Sequence, residues 1–322
     1  MNILIASPID PDAINELEKH HKVVRAFNAP PETLKTAIEG CDVLIFRSGV
    51  KITREVLQSS PDLKLIIRAG SGIDNIDIEY VIEKQLELVR IPEPGARAVA
   101  EMSFAFMLAL SRQVFLADQM TKQGHWIKHD VKGYLLSKKT LGIIGAGNIG
   151  STVGQMGSSW GMEVIGCIEY PSEQRTMELM TRGICLTSFE EVITNSDYIS
   201  VHVPLKDSTR GLINAEVISR MKPGVFLVNL ARGGVVDEEA LFNSMSNGGP
   251  IRGAALDVHK QEGEGKISSL ASLPNIILTP HIGASTIDTQ REIGHRIIES
   301  IQLFESKRAP VTVSSESLLL SV

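Results

Sequence analysis

Three polar side chains follow apolar segments typical of buried strands, and together they could move a proton beside a bound carboxylate. Arg232 follows the apolar run 225–230, and its guanidinium suits bidentate binding of a carboxylate and polarisation of a neighbouring carbonyl. His281 follows Pro280 on a turn, where an imidazole can give or take a proton near neutral pH. Glu262 is the carboxylate best placed in chain order to orient that ring. Arg232 also fits a structural role as an interdomain ion pair, and His281 fits one as a hydrogen-bonded structural histidine.

A glycine motif between two predicted strands indicates a dinucleotide site. After the apolar strand 141–144, Gly145, Gly147 and Gly150 have the spacing G-x-G-x-x-G, and a second strand follows at 163–168. The first glycine permits a tight turn, the second lets a pyrophosphate approach the backbone, and the third lets the helix pack on the strand. A turn that merely joins strand to helix is the alternative. Together with the three polar side chains, the motif predicts hydride transfer at a carbinol carbon next to a carboxylate.

Composition and charge narrow the class of protein. A chain of 322 residues favours two domains with a shared cleft, and 43% hydrophobic with 22% charged residues is typical of a soluble globular protein. A net charge of −6 argues against nucleic-acid binding. The three cysteines lack metal-ligand spacing, so we expect no metal site and a reducing compartment. Neither a leader nor a membrane-length apolar run is evident, and we therefore expect a cytoplasmic protein without membrane contact.

The pattern of elements predicts two α/β domains. Strand and helix signals alternate from the N-terminus to about residue 97, which indicates a small doubly wound parallel sheet. A long apolar helix at 98–116 opens a second α/β region that extends to residue 285. The last helix, 286–306, has no place in a completed second sheet and is expected to return to the first domain. The predicted fold is two doubly wound, Rossmann-like parallel-sheet domains: a discontinuous substrate domain, 1–97 with 286–322, and a nucleotide domain, 98–285.

Seven segments carry a resemblance to a known family. In order they are FRSGVKIT, IRAGSGIDNID, GIIGAGNIG, VHVPLKDSTRGLI, NLARGGVVDE, GAALDV and TPHIGAST. By these motifs the chain resembles the D-isomer-specific 2-hydroxyacid dehydrogenase family along nearly its whole length, and is most similar to the D-3-phosphoglycerate dehydrogenase branch. The resemblance implies an NAD-dependent oxidoreductase for a small acidic 2-hydroxy or 2-oxo acid, most readily D-3-phosphoglycerate and 3-phosphohydroxypyruvate. It also implies a homodimer formed through the larger domain.

The resemblance assigns roles to individual residues. Arg232, Glu262 and His281 match the catalytic Arg, Glu and His: Arg232 would hold the substrate, His281 would exchange the hydroxyl proton, and Glu262 would keep His281 in its useful protonation range. Besides the three motif glycines, positions matching cofactor contacts are Asn148, Ile149, Val203, Pro204, Thr209, Leu230, Ala231, Asp257 and Gly283. Positions matching substrate contacts are the backbone of Ser71, Gly72 and Ile73, with Arg47 and Arg68 facing a phosphate. The alternative for these two arginines is structural pairing with Asp74 or Asp77.

Several positions depart from the family pattern. Ile168 stands where an Asp normally binds the adenosine ribose, and Glu169 follows one residue later, so we expect Glu169 to take that role. NAD is the expected cofactor, and NADP stays open because Arg175 could reach a 2′-phosphate if its loop folds back. On the substrate side, His259 replaces a Phe, and Gly263 replaces the Pro that usually follows the catalytic Glu.

Two other functions stay open. Arg90 and Gly95 replace asparagines of the phosphoglycerate dehydrogenases, so a reductase of hydroxypyruvate, glyoxylate or a dicarboxylate-like or phosphonate-like acid is one alternative. The other is an NAD-sensing corepressor, a binding protein that keeps a similar catalytic triad. The paired arginines Arg47 and Arg68 favour an enzyme with an acidic substrate.

Overall fold

The computed structural model describes residues 1–70 and 72–307, and these form two compact units. The second unit is Gly95–Thr286, and the first comprises Met1–Pro94 and the chain from Ile287 onward. The boundaries therefore lie three residues and one residue from those expected at 97 and 285. Ser71, a predicted substrate contact, and residues 308–322 of the predicted first domain lie outside the described residues.

The first unit is a five-stranded parallel sheet with helices between its strands. Strands β1, β3 and β4 are buried along almost their whole length, as their Ile, Leu, Val and Phe residues require. The strand order is β2-β1-β3-β4-β5. In chain order the elements are β1 (Asn2–Ile5), α1 (Pro11–His20), β2 (Lys22–Arg25), α2 (Pro31–Ile38), β3 (Val43–Phe46), α3 (Arg54–Gln58), β4 (Leu65–Arg68), α4 (Ile78–Glu83) and β5 (Glu87–Arg90).

The second unit is a seven-stranded parallel sheet. Its strand order is β12-β11-β10-β9-β6-β7-β8, and each neighbouring pair is parallel. A short 3₁₀ helix, Ser269–Ser272, precedes the last strand. The elements are α5 (Glu93–Arg112), α6 (Val114–Lys122), β6 (Thr140–Ile144), α7 (Asn148–Ser159), β7 (Glu163–Cys167), α8 (Glu173–Thr181), β8 (Cys185–Leu186), α9 (Phe189–Asn195), β9 (Tyr198–Val201), α10 (Ala215–Ser219), β10 (Val225–Asn229), α11 (Glu238–Ser246), β11 (Ile251–Leu256) and β12 (Ile276–Leu278).

The last helix, α12 (Ile287–Ser306), lies in the first unit, where the sequence placed it. It packs on α1 so closely that a Cβ on Gly294 would come within 2.9 Å of the Ala13 Cβ. Ile293, Ile297, Ile301 and Phe304 carry this contact into the core of the first unit. The spacing of these four residues is that of one helical face.

The predicted helix 98–116 was wrong at both ends. Helix α5 already begins at Glu93 and ends at Arg112, after which Gln113 takes a left-handed conformation, with φ near +50°, and α6 begins. No single helix in the described ranges is long and apolar enough to cross a membrane, although α5 and α6, bent by 61°, pass that requirement when taken together.

Two strands were not predicted from the sequence. Strand β5 lies at the edge of the first sheet and is half-buried. Its charged residues interrupt the apolar run by which a buried strand is recognised in the sequence. Strand β8, at the edge of the second sheet, is only two residues long. Both are edge strands, where one side of the backbone has no neighbouring strand and the side chains meet solvent.

Candidate active site

The glycine loop connects β6 to α7 and has the geometry that a dinucleotide requires. Gly145 has φ near +95°, a conformation that favours glycine, and a Cβ on Gly150 would lie 2.1 Å from the Gly145 carbonyl oxygen. A Cβ on Gly147 would meet no heavy atom within 4 Å, so this side of the loop is open. Asn148 and Ile149 begin α7, whose N-terminus carries no side-chain cap. The first N–H groups of α7 therefore suit a diphosphate.

Glu169 and Arg175, the residues considered for contact with the adenosine ribose, lie beyond the end of β7. The Glu169 carboxylate is about half exposed and lies 3.6 Å from the Lys206 ammonium. Arg175 reaches the glycine loop, since its Nη2 donates to the Ala146 carbonyl oxygen at 2.7 Å while Nη1 pairs with Glu178. The Glu169 carboxylate is thus accessible to a ribose hydroxyl, and the Arg175 guanidinium contacts the glycine loop.

The Glu262 carboxylate and the His281 imidazole form the hydrogen bond expected from the sequence. Glu262 Oε2 lies 3.0 Å from His281 Nδ1. The second oxygen, Oε1, accepts the N–H of His259 at 3.2 Å. His281 is 31% exposed and has φ near +57°, a strained conformation for a residue with a side chain. With Nδ1 bound to a carboxylate, Nε2 is the nitrogen left for proton exchange.

The pKa of Glu262 is lower than that of an ordinary glutamate, so its carboxylate stays ionised at a lower pH. Burial alone raises the pKa of Glu262, but the hydrogen bond and charge of His281 and the N–H of His259 outweigh burial and lower it. The charged carboxylate is therefore present across the neutral range, where it can orient an imidazole and stabilise its protonated form.

Asp257, buried at the end of β11, holds the turn that carries His281. Its Oδ1 accepts the N–H of Ile282 at 2.8 Å and the hydroxyl of Thr279, and its Oδ2 accepts the N–H of Gly283 at 2.7 Å. A Cβ on Gly283 would come within 2.9 Å of that oxygen. These donors account for the burial of a carboxylate at 1% exposure. The predicted contact of Asp257 with the cofactor stays a prediction.

Arg232 follows β10 on a turn organised by Asn229. The Asn229 side chain accepts the N–H of Ala231 at 3.0 Å and donates to the Arg232 carbonyl oxygen at 3.2 Å. Arg232 is half-buried, and its Nη1 donates to the Ala231 carbonyl oxygen at 2.7 Å, which holds one end of the guanidinium. The turn thus places a fork of donors at the carboxyl end of the second sheet.

The remaining cofactor candidates lie along the same edge of the second sheet. The carboxyl ends of parallel strands share one edge, so the segments after β6, β9, β10, β11 and β12 lie there together. The Thr209 hydroxyl ties the segment after β9, because it accepts the N–H of Lys206 at 2.8 Å and donates to the Pro204 carbonyl. Neighbouring segments along this edge are close together, since a Cβ on Gly145 would lie 2.8 Å from the Val203 side chain and one on Gly283 would lie 3.3 Å from the Leu230 side chain.

Arg47 and Arg68, the substrate candidates of the first unit, differ in their surroundings. Arg68 is 4% exposed, and its Nε and Nη1 donate to the Gly72 and Ala69 carbonyl oxygens at 2.7 and 3.3 Å. Arg47 is half-buried, and no acidic side chain of residues 1–70 and 72–307 forms an ion pair with it. Burial lowers the pKa of Arg47, because desolvation disfavours the charge.

Ile73 and the acids considered as structural partners complete the predicted positions of the first unit. Ile73 packs partly against the hydrophobic core on one face of the first sheet. Asp77, one of the two acids considered as a structural partner, pairs instead with Arg54 at 3.5 Å. Arg68 therefore supports the loop that includes Gly72. The Arg47 guanidinium reaches the Pro8 carbonyl oxygen at 3.5 Å and has no acidic partner among the described residues.

The family model for the NAD-binding domain of the D-isomer specific 2-hydroxyacid dehydrogenases matches residues 104–283. The chain belongs to this family. Its members are NAD-dependent oxidoreductases, and the matched range covers the glycine loop together with Arg232, Glu262 and His281. Among the described residues, no three His, Cys, Asp or Glu side chains are grouped so that they could hold a metal ion.

Relatives of this dehydrogenase family differ in their named substrates. A D-3-phosphoglycerate dehydrogenase of Methanocaldococcus jannaschii is 39% identical over 94% of this chain, which spans 57% of that protein. A hydroxypyruvate reductase of Thermotoga maritima is also 39% identical, over 92% of this chain and 96% of its own length. A D-lactate dehydrogenase of Aquifex aeolicus, solved with NAD and lactic acid, has a TM-score of 0.82 and 30% identity over 95% of this chain and 96% of its own. The chain thus spans little more than half of one of these relatives.

Three residues that organise the candidate site were not singled out by sequence reasoning. Asn229 shapes the Arg232 turn, and Thr279 binds Asp257 through its hydroxyl and His281 through its carbonyl oxygen. Glu238 accepts hydrogen bonds from the Lys260 N–H and the Ser268 hydroxyl. An Asn at a strand end is a recognisable turn signal, but the bonds of Thr279 and Glu238 join segments distant in sequence.

His202, directly after β9 and next to the glycine loop, is half-buried as a residue, but its imidazole is buried. Its Nε2 lies 2.8 Å from the Ser200 hydroxyl, and among the described residues Nδ1 has no hydrogen-bond partner. Burial lowers the pKa of His202 to about 3. Between about pH 6.5 and 3 the unfolded chain therefore binds one more proton than the folded chain at this site, so stability falls as the pH is lowered.

We expect this histidine to contribute about 2 kcal/mol to the loss of unfolding free energy between pH 7 and pH 5, given the pKa of about 3 in the folded chain. Urea unfolding at both pH values checks it: H202Q, which cannot titrate, should lose less stability on acidification than the wild type. The exposed His125 provides the matched control, H125Q. Equal pH dependence in H202Q and the wild type would contradict the prediction.

Proposed function

We propose that this protein transfers a hydride between NAD(H) and a small acidic 2-hydroxy or 2-oxo acid, with D-3-phosphoglycerate and 3-phosphohydroxypyruvate as its substrate pair. The observation that carries the proposal is the 3.0 Å contact between Glu262 Oε2 and His281 Nδ1. It leaves a single imidazole nitrogen for proton exchange, in the domain that carries the glycine loop. Acid/base chemistry beside a dinucleotide site is what a carbinol oxidation needs.

We assign a separate role in the reaction to each of the three side chains. When bound, NAD supplies the hydride acceptor, and in its reduced form the donor. In the direction of oxidation, His281 Nε2 takes the proton of the substrate hydroxyl, and in reduction it returns a proton to the carbonyl oxygen. Glu262 stabilises the protonated imidazole. Arg232 binds the substrate carboxylate and polarises the carbonyl that is formed or reduced.

The acidic substrate follows from Arg47. A half-buried guanidinium without an acidic partner in the described part of the chain is costly unless an anion completes the site. We assign this anion to the distal phosphate of the substrate. Arg68 shapes the loop whose backbone at Gly72 and Ile73 binds the carboxylate.

NAD is proposed over NADP because of Glu169. Its half-exposed carboxylate can accept hydrogen bonds from the ribose hydroxyls, whereas it would repel a 2′-phosphate. Lys206 and Arg175 partly offset this repulsion, so the preference for NADH is expected to be moderate. The oxidised and reduced forms of NAD share this ribose, and the preference therefore applies in both directions.

A second candidate is an unphosphorylated 2-oxo acid such as hydroxypyruvate. The observation that favours it is the match to a hydroxypyruvate reductase at 39% identity, the same identity as the match to the phosphoglycerate dehydrogenase. In that case Arg47 would bind a smaller acidic or hydroxyl group.

The two candidates differ in one assay. Oxidation of NADH, and separately of NADPH, is followed with 3-phosphohydroxypyruvate, hydroxypyruvate, glyoxylate, 2-oxoglutarate, oxaloacetate and pyruvate. We expect the phosphorylated acid to have the largest kcat/KM, with turnover on the order of one per second or more, and R47A to reduce that preference. A preference for hydroxypyruvate would overturn the substrate assignment. Binding of NADH without turnover of any acid would overturn the enzyme proposal in favour of an NAD-sensing corepressor.

We further propose a homodimer formed through the second unit. Val114, Phe115, Leu116, Trp126 and Leu135 are between 44% and 80% exposed, which is unusual for so many large apolar side chains in one region of sequence. We propose that a second copy of the chain covers these side chains, and a solution mass near twice 35.1 kDa is the result that checks it.

A cytoplasmic location also belongs to the proposal, because the free thiols of Cys41, Cys167 and Cys185 suit a reducing compartment.

A further inference from the structure

His259 supplies two links of a hydrogen-bonded ring around the Glu262–His281 pair. Its backbone N–H donates to Glu262 Oε1 at 3.2 Å, and its ring Nε2 lies 2.9 Å from the Thr279 carbonyl oxygen. That carbonyl also accepts the N–H of His281 at 3.0 Å. We propose that His259 is a positioning residue for the acid/base pair. The inference rests on the proposed function, because it assigns His259 to that same reaction.

The chemistry of the acceptor fixes the tautomer of His259. A carbonyl oxygen only accepts hydrogen bonds, so the ring nitrogen that faces Thr279 must carry the proton. The other ring nitrogen, Nδ1, is buried and has no hydrogen-bond partner among the described residues. The imidazole of His259 is therefore held by one hydrogen bond, and its polar effect on the site passes through the Thr279 carbonyl.

That carbonyl lies at the base of a strained turn. His281 has φ near +57°, and a residue with a side chain stays in this region only when its surroundings hold it there. Its N–H is held by the Asp257 carbonyl oxygen at 2.8 Å and by the Thr279 carbonyl oxygen at 3.0 Å. By fixing the second of these acceptors, His259 fixes the backbone from which the His281 imidazole projects.

The segment that carries Glu262 has little else to hold it. Residues 260–267 are exposed, and Gly263 and Gly265 have φ values near +125° and +73°. Glu238 ties the two ends of the segment through the Lys260 N–H and the Ser268 hydroxyl. Between these ties, the Glu262 carboxylate is located by the His259 N–H and by His281. A shift of either group would misalign the pair, and a misplacement of about 1 Å can cost about 100-fold in rate.

His259 also abuts the turn that follows Arg232. A Cβ on Gly233 would come within 1.8 Å of the His259 carbonyl oxygen, so the two backbones are in close contact. One residue therefore touches the segments of Arg232, Glu262 and His281 through its carbonyl, its N–H and its ring. This placement connects the three groups to which the reaction is assigned.

Two substitutions at His259 distinguish the effect of the ring hydrogen bond from the effect of the size of the ring. H259F keeps an aromatic ring and the backbone N–H but removes the donor to Thr279. H259Q places an amide N–H at about the reach of Nε2 and serves as the conservative rescue. We expect H259F to lower kcat about tenfold with the best 2-oxo acid, while the KM for NADH changes less than twofold, and H259Q to recover kcat to within about threefold of wild type.

A second measurement does not depend on turnover. In protein carrying ¹⁵N-labelled histidine, the Nδ1–H of His281 bound to Glu262 should give a downfield proton signal that is present in the wild type and H259Q but broadened or lost in H259F. If no acid is turned over at all, the proposed function fails while this signal still tests the positioning role. H259N, whose amide stops short of Thr279, replaces H259F if that variant does not fold. Equal kcat and an equal signal in wild type and H259F, or an equal loss in H259F and H259Q, would overturn the inference.

Discussion

Replacing His281 with alanine is expected to lower kcat about 100-fold or more, with the Kd for NADH unchanged within about twofold. The imidazole is the group left to exchange a proton with the substrate, because its Nδ1 is occupied by Glu262 at 3.0 Å. Alanine removes the acid/base but not the glycine loop at the start of α7. The loss should therefore appear in turnover and not in cofactor binding.

Steady-state kinetics with the best 2-oxo acid and fluorescence titration with NADH measure the two effects separately. The matched control is H295A, which removes an exposed histidine on α12 and should leave both values at the wild-type level. Unchanged turnover in H281A would refute the assignment of His281 as the acid/base. A parallel loss of NADH binding would instead indicate that the turn after Pro280 had lost its structure. The same measurements would then be made on the less disruptive variant H281Q.

The pairing of Glu262 with His281 was open to sequence reasoning because it follows from sheet topology. Strand and helix signals alternate, the strands are parallel, and their carboxyl ends share one edge, so polar residues after β10, β11 and β12 had to lie near one another. Pro280 before His281 and Gly283 after it also indicated a turn. The proximity of Glu262 and His281 could thus be predicted from the sequence without any knowledge of side-chain geometry.

The supporting contacts could not be predicted in the same way. The hydrogen bond from His259 to the Thr279 carbonyl depends on where a backbone oxygen points in a turn, and no side-chain type marks that direction. The break at Gln113 is similar, because a non-glycine residue in the left-handed region has no sequence signal of its own. For Arg68, the sequence predicts an anion contact, and the structure adds that Nε and Nη1 donate to backbone carbonyls while the anion contact stays a prediction. Residue type alone does not separate these two uses of a guanidinium.

Replacing Arg232 with lysine is expected to raise the KM for the 2-oxo acid about 10- to 100-fold, because hydrogen bonds to charged groups contribute roughly 1.5–3 kcal/mol. The planar guanidinium can present two parallel N–H donors to a carboxylate, and Nη1 is held by its bond to the Ala231 carbonyl oxygen at 2.7 Å. A lysine ammonium keeps the charge but presents no such pair of donors. The variant therefore tests the geometry of the contact and not the charge.

The control for this substitution is R220K, which makes the same exchange on the exposed Arg220 paired with Glu190 at 2.9 Å and should leave KM unchanged. Titration with NADH should give the wild-type Kd in both variants, since no part of the glycine loop changes. A KM in R232K equal to that of wild type would show that the substrate carboxylate is bound elsewhere. A loss confined to kcat would mean that Arg232 acts on the reacting carbonyl alone, because an interaction made only in the transition state lowers kcat without weakening substrate binding.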